Sequence, residues 1–158
     1  MSIIQIQIDI AAPLAVCFDV ARSVDAHIES ARTTGERAVG GVTSGLLKLG
    51  DEVTWRARHF GMTQHLTSRI VAFDRPRHFR DEMVRGAFRR LVHDHYFEPA
   101  SGGTRMRDVF DFTAPFGIVG SLVDRLILTG YLKRFLESRA EALKQLAESD
   151  AVKRFSVQ

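Results

Sequence analysis

The chain has 158 residues and a mass of 17.7 kDa, with 45% hydrophobic and 26% charged residues and a net charge of only +3. That is the size of one ordinary domain, and it excludes a disordered or low-complexity chain, because 11 Phe, one Trp and many Val, Ile and Leu can fill a core. No apolar run approaches the roughly 18 residues of a membrane-spanning helix, and Met1-Ser2-Ile3-Ile4-Gln5-Ile6 alternates where an export signal would be basic and then apolar. A soluble, unexported, cytoplasmic protein is expected, with no integral membrane association. The single cysteine, Cys17, excludes an internal disulfide framework and a multi-cysteine zinc site. The pI near 9.4 comes from 18 Arg and 4 Lys spread among 19 acidic residues. The densest basic stretch, Arg75 to Arg90, is interrupted by Asp81 and Glu82, so no nucleic-acid partner is expected.

Ile4, Ile6, Ile8 and Ile10 alternate with Gln5, Gln7 and Asp9, which predicts a first strand with one buried face. Pro13 suits the start of a helix, and Leu14, Val16, Cys17, Phe18 and Val20 predict a short one ending at Arg22. After a brief break, Ser23 to Ile28 opens a second helix. Gly35, Gly40, Gly41, Gly45 and Gly50 then predict short or bent strands. From Asp51 onward the pattern predicts strands at about 51–60, 62–73, 77–85, 88–98 and 103–113. The junctions at Gly61, Asp74-Arg75-Pro76, Gly86 and Pro99 to Gly103 are short enough for antiparallel hairpins, which makes a meander. After Pro115 and Gly117 the period becomes 3.6. Leu122, Leu126, Thr129, Leu132, Phe135, Leu136, Arg139, Leu143 and Leu146 trace the stripe of a long helix reaching Glu148, with Gly130 a candidate kink. One domain over residues 1–150 is expected, with residues 151–158 a frayed tail.

This order of elements resembles the helix-grip architecture of the START/Bet v 1-like (SRPBCC) superfamily. The segments that carry the likeness are Gly50-Asp51-Glu52-Val53-Thr54-Trp55, His59-Phe60-Gly61, Phe79 through Phe88, His93-Asp94-His95-Tyr96-Phe97 and Thr104-Arg105-Met106-Arg107-Asp108. They resemble a bacterial branch described as polyketide cyclase/dehydrase-like or as a ligand-binding domain. The resemblance implies an α+β helix-grip fold: a curved antiparallel sheet of about six or seven strands wrapped around a long C-terminal helix, with two short helices after the first strand. Function follows less directly, because the superfamily hosts carriers, receptors and cyclases on one scaffold.

In such a fold the concave face of the sheet lines any cavity beneath the helix, and alternation tells which residues those are. They are Val53, Trp55, Ala57 and His59; Leu66, Ser68 and Ile70; Phe79, Asp81 and Met83; Leu91, His93, His95 and Phe97; and Thr104, Met106, Asp108, Phe110 and Phe112. If the Gly86-Ala87 hairpin pairs residues whose numbers sum to about 174, Asp81 faces His93. A sum near 201 across Gly102-Gly103 sets Asp108 beside His93. The outcome is a carboxylate, imidazole, carboxylate row. It reads either as a buried hydrogen-bond network that holds strand register or as a proton relay or polar anchor inside an apolar cavity.

His93 and His95 share a face, and His59 with Asp81 or Asp108 could add ligands of a kind zinc or iron accepts. The spacing alone is non-specific, so neither a metal nor another cofactor is expected; phosphate-loop, dinucleotide and nucleophile-elbow motifs are also missing. Trp55, Phe60, Phe79, Met83, Phe88, Phe97, Met106, Phe110 and Phe112, with Tyr131 and Phe135, read either as plain core or as the wall of a cavity. Gly117, Gly120 and Gly130 read either as a gate or as turn and kink residues. Arg139, set among the apolar stripe, either faces an inward carboxylate or snorkels outward.

The expected function is binding or transport of a hydrophobic small molecule, such as a lipid, isoprenoid, polyketide or aromatic metabolite, by a monomer or homodimer. The expected cavity residues are Trp55, His59, Leu66, Ser68, Phe79, Asp81, Met83, His93, His95, Met106, Asp108, Phe110 and Phe135. A polyketide cyclase/aromatase-like enzyme using His93 with Asp81 or Asp108, and a protein-interaction module, are the alternatives.

Overall fold

The computed structural model describes residues 1–114 and 127–155. Among them the chain forms β1 (Ser2–Ile10), α1 (Leu14–Ala21), α2 (Val24–Ser30), β2 (Arg37–Gly41), β3 (Glu52–His59), β4 (Met62–Asp74), β5 (His78–Arg85), β6 (Arg90–Ala100), β7 (Gly103–Thr113) and α3 (Thr129–Glu148). These strands build one antiparallel sheet in the order β1-β7-β6-β5-β4-β3-β2. α3 packs against β1, α1 and α2, so the expected helix-grip arrangement is the observed one.

Alternation decides which face is covered. On β7, Thr104, Met106, Asp108, Phe110 and Phe112 are all buried and the residues between them are not. β3 does the same with Val53, Trp55 and Ala57. The 13 residues of β4 carry register shifts between Thr67 and Ser68 and between Ile70 and Ala72. Such bulges bend and twist a strand, and β4 carries two of them. The β3–β4 turn is Phe60-Gly61, with His59 paired to Met62 and φ values of 51° and 75°. Two positive φ angles in a two-residue loop match the right-handed twist of the strands. Phe60 accepts that conformation while its ring packs on Tyr131, centroids 4.5 Å apart.

α1 starts after Pro13, and α2 is capped by Ser23, whose Oγ accepts the Ala26 amide at 3.2 Å. Phe18 of α1 is fully buried, edge-on to Phe73, Phe79 and Phe97 at 5.3, 5.4 and 5.5 Å. Its neighbour Asp19 is 1% exposed and receives both Arg22 and Arg75. On α3, Leu132, Leu136, Ala140, Leu143 and Ala147 form the buried stripe.

At the start of the expected tail, Asp150–Arg154 forms a 3-10 turn and Phe155 is buried in the core. Residues 156–158, and the expected helical positions Leu122 and Leu126 with Gly117 and Gly120, lie outside the described residues. The β6–β7 hairpin turns on Ser101-Gly102, with Ala100 still paired to Gly103, so paired numbers sum to 203 and not 201. Asp108 therefore faces His95, and Phe110 faces His93. A slip of two keeps every side chain on its face.

Gly103 sits where β7 passes the end of β1. A Cβ there would lie 2.0 Å from the Ile10 carbonyl oxygen and 3.0 Å from Ala11 Cα. Backbone cannot step aside cheaply, so Gly103→Ala is expected to destabilise the fold by about 1–3 kcal/mol, measured by urea unfolding.

Candidate functional site

Between the concave sheet and α3 lies a cavity of about 710 Å3. Of the thirteen residues expected to line it, ten do: Trp55, His59, Leu66, Ser68, Phe79, Asp81, His93, His95, Phe110 and Phe135. Met83, Met106 and Asp108 do not line the space. Met106 is 1% exposed and Asp108 6% exposed, both sealed within the core, and Met83 is half-buried on β5. Asp108 still acts on the site from behind, through the two histidines.

Asp81, His93 and His95 form the floor, with Asp108 behind them. The paired positions of β5, β6 and β7 set them side by side: Asp81 opposite His93, and His95 opposite Asp108. His95 Nδ1 donates to Asp108 Oδ1 at 2.9 Å, and its Nε2 reaches Asp81 Oδ2 at 3.3 Å. Burial alone would pull the His95 pKa down. The charge and hydrogen bond of Asp108, joined by Asp81, outweigh burial and push it up to about 9. Burial opposes ionisation of Asp108 and Asp81 as well, yet the imidazoles hold both carboxyls below the usual carboxylate range. His93 is pressed the other way, below the ordinary imidazole value, first by burial and then by the charge of His95. Its Nε2 is buried with no hydrogen-bond partner, 3.7 Å from Asp108 Oδ2, and its Nδ1 stands 4.0 Å from Asp81 Oδ2. The rings are held by apolar walls: Phe79 stacks on His95 at 4.2 Å, and Phe110 meets His93 edge-on at 5.1 Å.

A second polar group stands elsewhere on the cavity wall. Arg139 of α3 donates from Nη2 to His27 Nδ1 at 2.7 Å, and His27 Nε2 lies 3.2 Å from Glu36 Oε1. An imidazole that accepts at Nδ1 carries its proton on Nε2, facing the carboxylate. Burial and the Arg139 charge keep the His27 pKa below its ordinary value despite Glu36. Burial works against ionisation of Glu36, but His27 and Arg139 hold its carboxyl below the usual range. Arg139 Nε and Glu36 Oε2 are buried without hydrogen-bond partners. His27 also stacks on Trp55, centroids 3.8 Å apart.

Near the β3–β4 turn, His59 Nδ1 and the Tyr131 hydroxyl are 2.7 Å apart, and Phe60 packs on the same Tyr131 ring. Burial lowers the His59 pKa and raises that of Tyr131.

Strand alternation alone recovers the floor. It misses His27 and Glu36, which lie on α2 and just ahead of β2 and carry no local signature. Arg139 has one: a cation inside an apolar stripe. It lines the cavity and donates to His27, whose other nitrogen lies against Glu36, a carboxylate that strand patterning does not list.

Residues 1–148 match the model of a family described as polyketide cyclase / dehydrase and lipid transport. Among solved structures the chain is similar to a protein of Thermus thermophilus (TM-score 0.76, 16% identity, 91% of this chain and 95% of that one). It is also similar to ginseng major latex-like protein 151 from Panax ginseng (TM-score 0.68, 17% identity, 92% and 97% covered). A START superfamily protein from Mycobacterium smegmatis matches at TM-score 0.68 and 13% identity, over 92% and 97%. At these identities the likeness establishes the fold, the helix grip. No curated protein matches the chain.

Proposed function

This chain belongs to the polyketide cyclase / dehydrase and lipid transport family, and from that premise we propose that it binds and carries a hydrophobic small molecule, such as a lipid, isoprenoid, polyketide or aromatic metabolite, between its sheet and α3. The observation that carries this reading is the cavity itself. Its volume, about 710 Å3, falls in the range of roughly 300–1,000 Å3 usual for small-ligand sites. Its lining is dominated by Trp55, Leu66, Ile70, Phe79, Phe88, Phe110, Leu132, Phe135 and Leu136. Against this apolar wall stand a few polar groups, His93, His95 and Asp81 in one place and Arg139, His27 and Glu36 in another. Such convergent groups orient the polar end of a ligand whose body is held by area. No described helix is long and apolar enough to cross a membrane. The reading takes the ligand from the cytoplasm, by a monomer or homodimer, with no nucleic acid involved.

Trp55 is the single tryptophan of the chain and lines the cavity, so its fluorescence reports directly on the interior. Titration of the purified protein with a fatty acid, a prenyl alcohol and an aromatic polyketide is expected to change Trp55 emission saturably for at least one of them. Native mass spectrometry is expected to show the same complex at one ligand per chain. Unchanged emission and a bare mass across the whole panel would sink the carrier reading.

A second reading, a cyclase-like enzyme, is favoured by one observation: His93 lies on the cavity wall with its Nε2 unpartnered, next to two carboxylates. That is a group free to take or give a proton. His93→Gln is expected to abolish turnover in that case, and to alter affinity only modestly if the protein is a carrier.

A further inference from the structure

We propose that Asp81, His93 and His95 bind one divalent first-row metal ion, such as Zn2+ or Fe2+, with Asp108 as the outer carboxylate that orients both histidines. Asp81 Oδ2 lies 3.3 Å from His95 Nε2 and 4.0 Å from His93 Nδ1, and the three ligand atoms all fall within 4.8 Å of one another. Bonds of about 2.0–2.2 Å to one ion require ligand atoms about 3–3.5 Å apart. The His95–Asp81 pair is there already. Only His93 has to turn inward, and it breaks no hydrogen bond in doing so, because its Nε2 has no partner.

The far side of the cluster is built as metal sites are. A ligating imidazole usually gives its other N–H to a carboxylate, which fixes tautomer and ring orientation. Asp108 does this for His95 at 2.9 Å and stands 3.7 Å from the corresponding nitrogen of His93. Both near nitrogens are thereby turned toward the single oxygen of Asp81. The ligands come from the middle of β5 and β6, where cross-strand pairing rather than a loop sets their spacing.

Charge favours the same conclusion. Among the described residues, neither Asp81 nor Asp108 has an Arg or Lys in hydrogen bond or ion pair; their partners are the two imidazoles. One divalent ion with two neutral histidines balances two carboxylates. The metal takes the place of the proton on His95 Nε2, which leaves to solvent. Asp81, His93 and His95 line the cavity while Asp108 does not, so the ion's remaining positions open toward the space. Two histidines, one carboxylate and open positions suit zinc hydrolytic or non-haem iron chemistry and also suit polarising a carbonyl.

The test uses the metal alone, so its outcome is separate from that of the cavity-ligand titration. Untagged protein is stripped with a chelator and titrated with Co2+, followed by visible absorption and calorimetry, and then challenged with Zn2+. One Co2+ per chain, displaced by Zn2+, is expected. His95→Ala leaves two buried carboxylates without their shared partner, so His93→Ala is the deciding variant, with folding checked by circular dichroism. It is expected to weaken Co2+ binding at least about 100-fold, and Asp108→Asn to weaken it about 10- to 100-fold. Folded wild-type protein that takes up no Co2+ or Zn2+, or a folded His93→Ala variant that binds as wild type does, overturns the proposal.

Discussion

Asp19→Ala is expected to destabilise the protein by about 3–5 kcal/mol, the usual consequence of removing one partner from a buried ion pair. The carboxylate is 1% exposed on α1. Arg22 donates to its Oδ1 from Nε and Nη2, at 2.9 and 2.7 Å, and Arg75 reaches both oxygens, at 3.1 and 2.8 Å. Arg22 is itself buried, and its Nη1 goes on to the Leu47 carbonyl at 2.9 Å. One carboxylate therefore ties α1 to the segment before β3 and to the β4–β5 turn. Without it Arg22 stays buried with a single backbone acceptor.

The same network sets a pH dependence whose sign is fixed. Burial opposes ionisation of Asp19, but hydrogen bonds from Arg75 and Arg22 outweigh it and lower its pKa from the ordinary 3.8. A carboxylate with a lowered folded pKa contributes its stability above the unfolded value and loses it as pH falls through the folded one. The stability gap between wild type and Asp19→Asn is therefore expected to be full at neutral pH and to close below pH 3.8. Urea unfolding of the two proteins across that range measures it. A gap that stays constant into acid would mean that shape, not charge, holds this junction.

How far the site could be read in advance depends on the range of the information. Strand alternation is local, so Trp55, His59, Asp81, His93, His95 and Phe110 were assignable to the concave face from period two alone. Pairing across the Gly86 hairpin was assignable too, since Asp81 does face His93. Across the next hairpin the choice of turn residues mattered. Ser101-Gly102, with Gly102 at φ 79°, makes a tighter loop than the Pro-Ala-Ser-Gly-Gly run suggests, and moves Asp108 from His93 to His95. The face survives because the slip is two residues. His27, Glu36 and Arg139 come together only when α2 packs on α3, a contact between residues 112 apart for His27 and Arg139. No local pattern encodes that contact. Nor does alternation tell an inward residue that faces a cavity, as Phe110 does, from one sealed in the core, as Met106 is. That distinction depends on how α3 packs across the sheet, a long-range contact that alternation does not encode.

The cavity makes Ser68→Trp a variant with two opposite expected effects. Ser68 is 4% exposed, lies mid-sheet between Val53 and Met83, and its side chain faces the cavity. A close-packed interior gains when a void is filled with apolar surface, and burying a large apolar side chain is worth about 1.5–3 kcal/mol. The variant is therefore expected to melt higher than wild type. The same indole occupies the space the ligand needs, and losing a comparable burial from the complex weakens binding by about 10- to 150-fold. Stability gained at the expense of function is the mark of a cavity kept open for use. Thermal melting and calorimetry with the ligand found by native mass spectrometry read the two effects separately. A Ser68→Trp protein that melts higher yet binds with wild-type affinity would put the ligand outside this cavity. One that melts lower would mean that the space between sheet and α3 is too tightly walled to admit an indole, and so too tight for the ligand proposed.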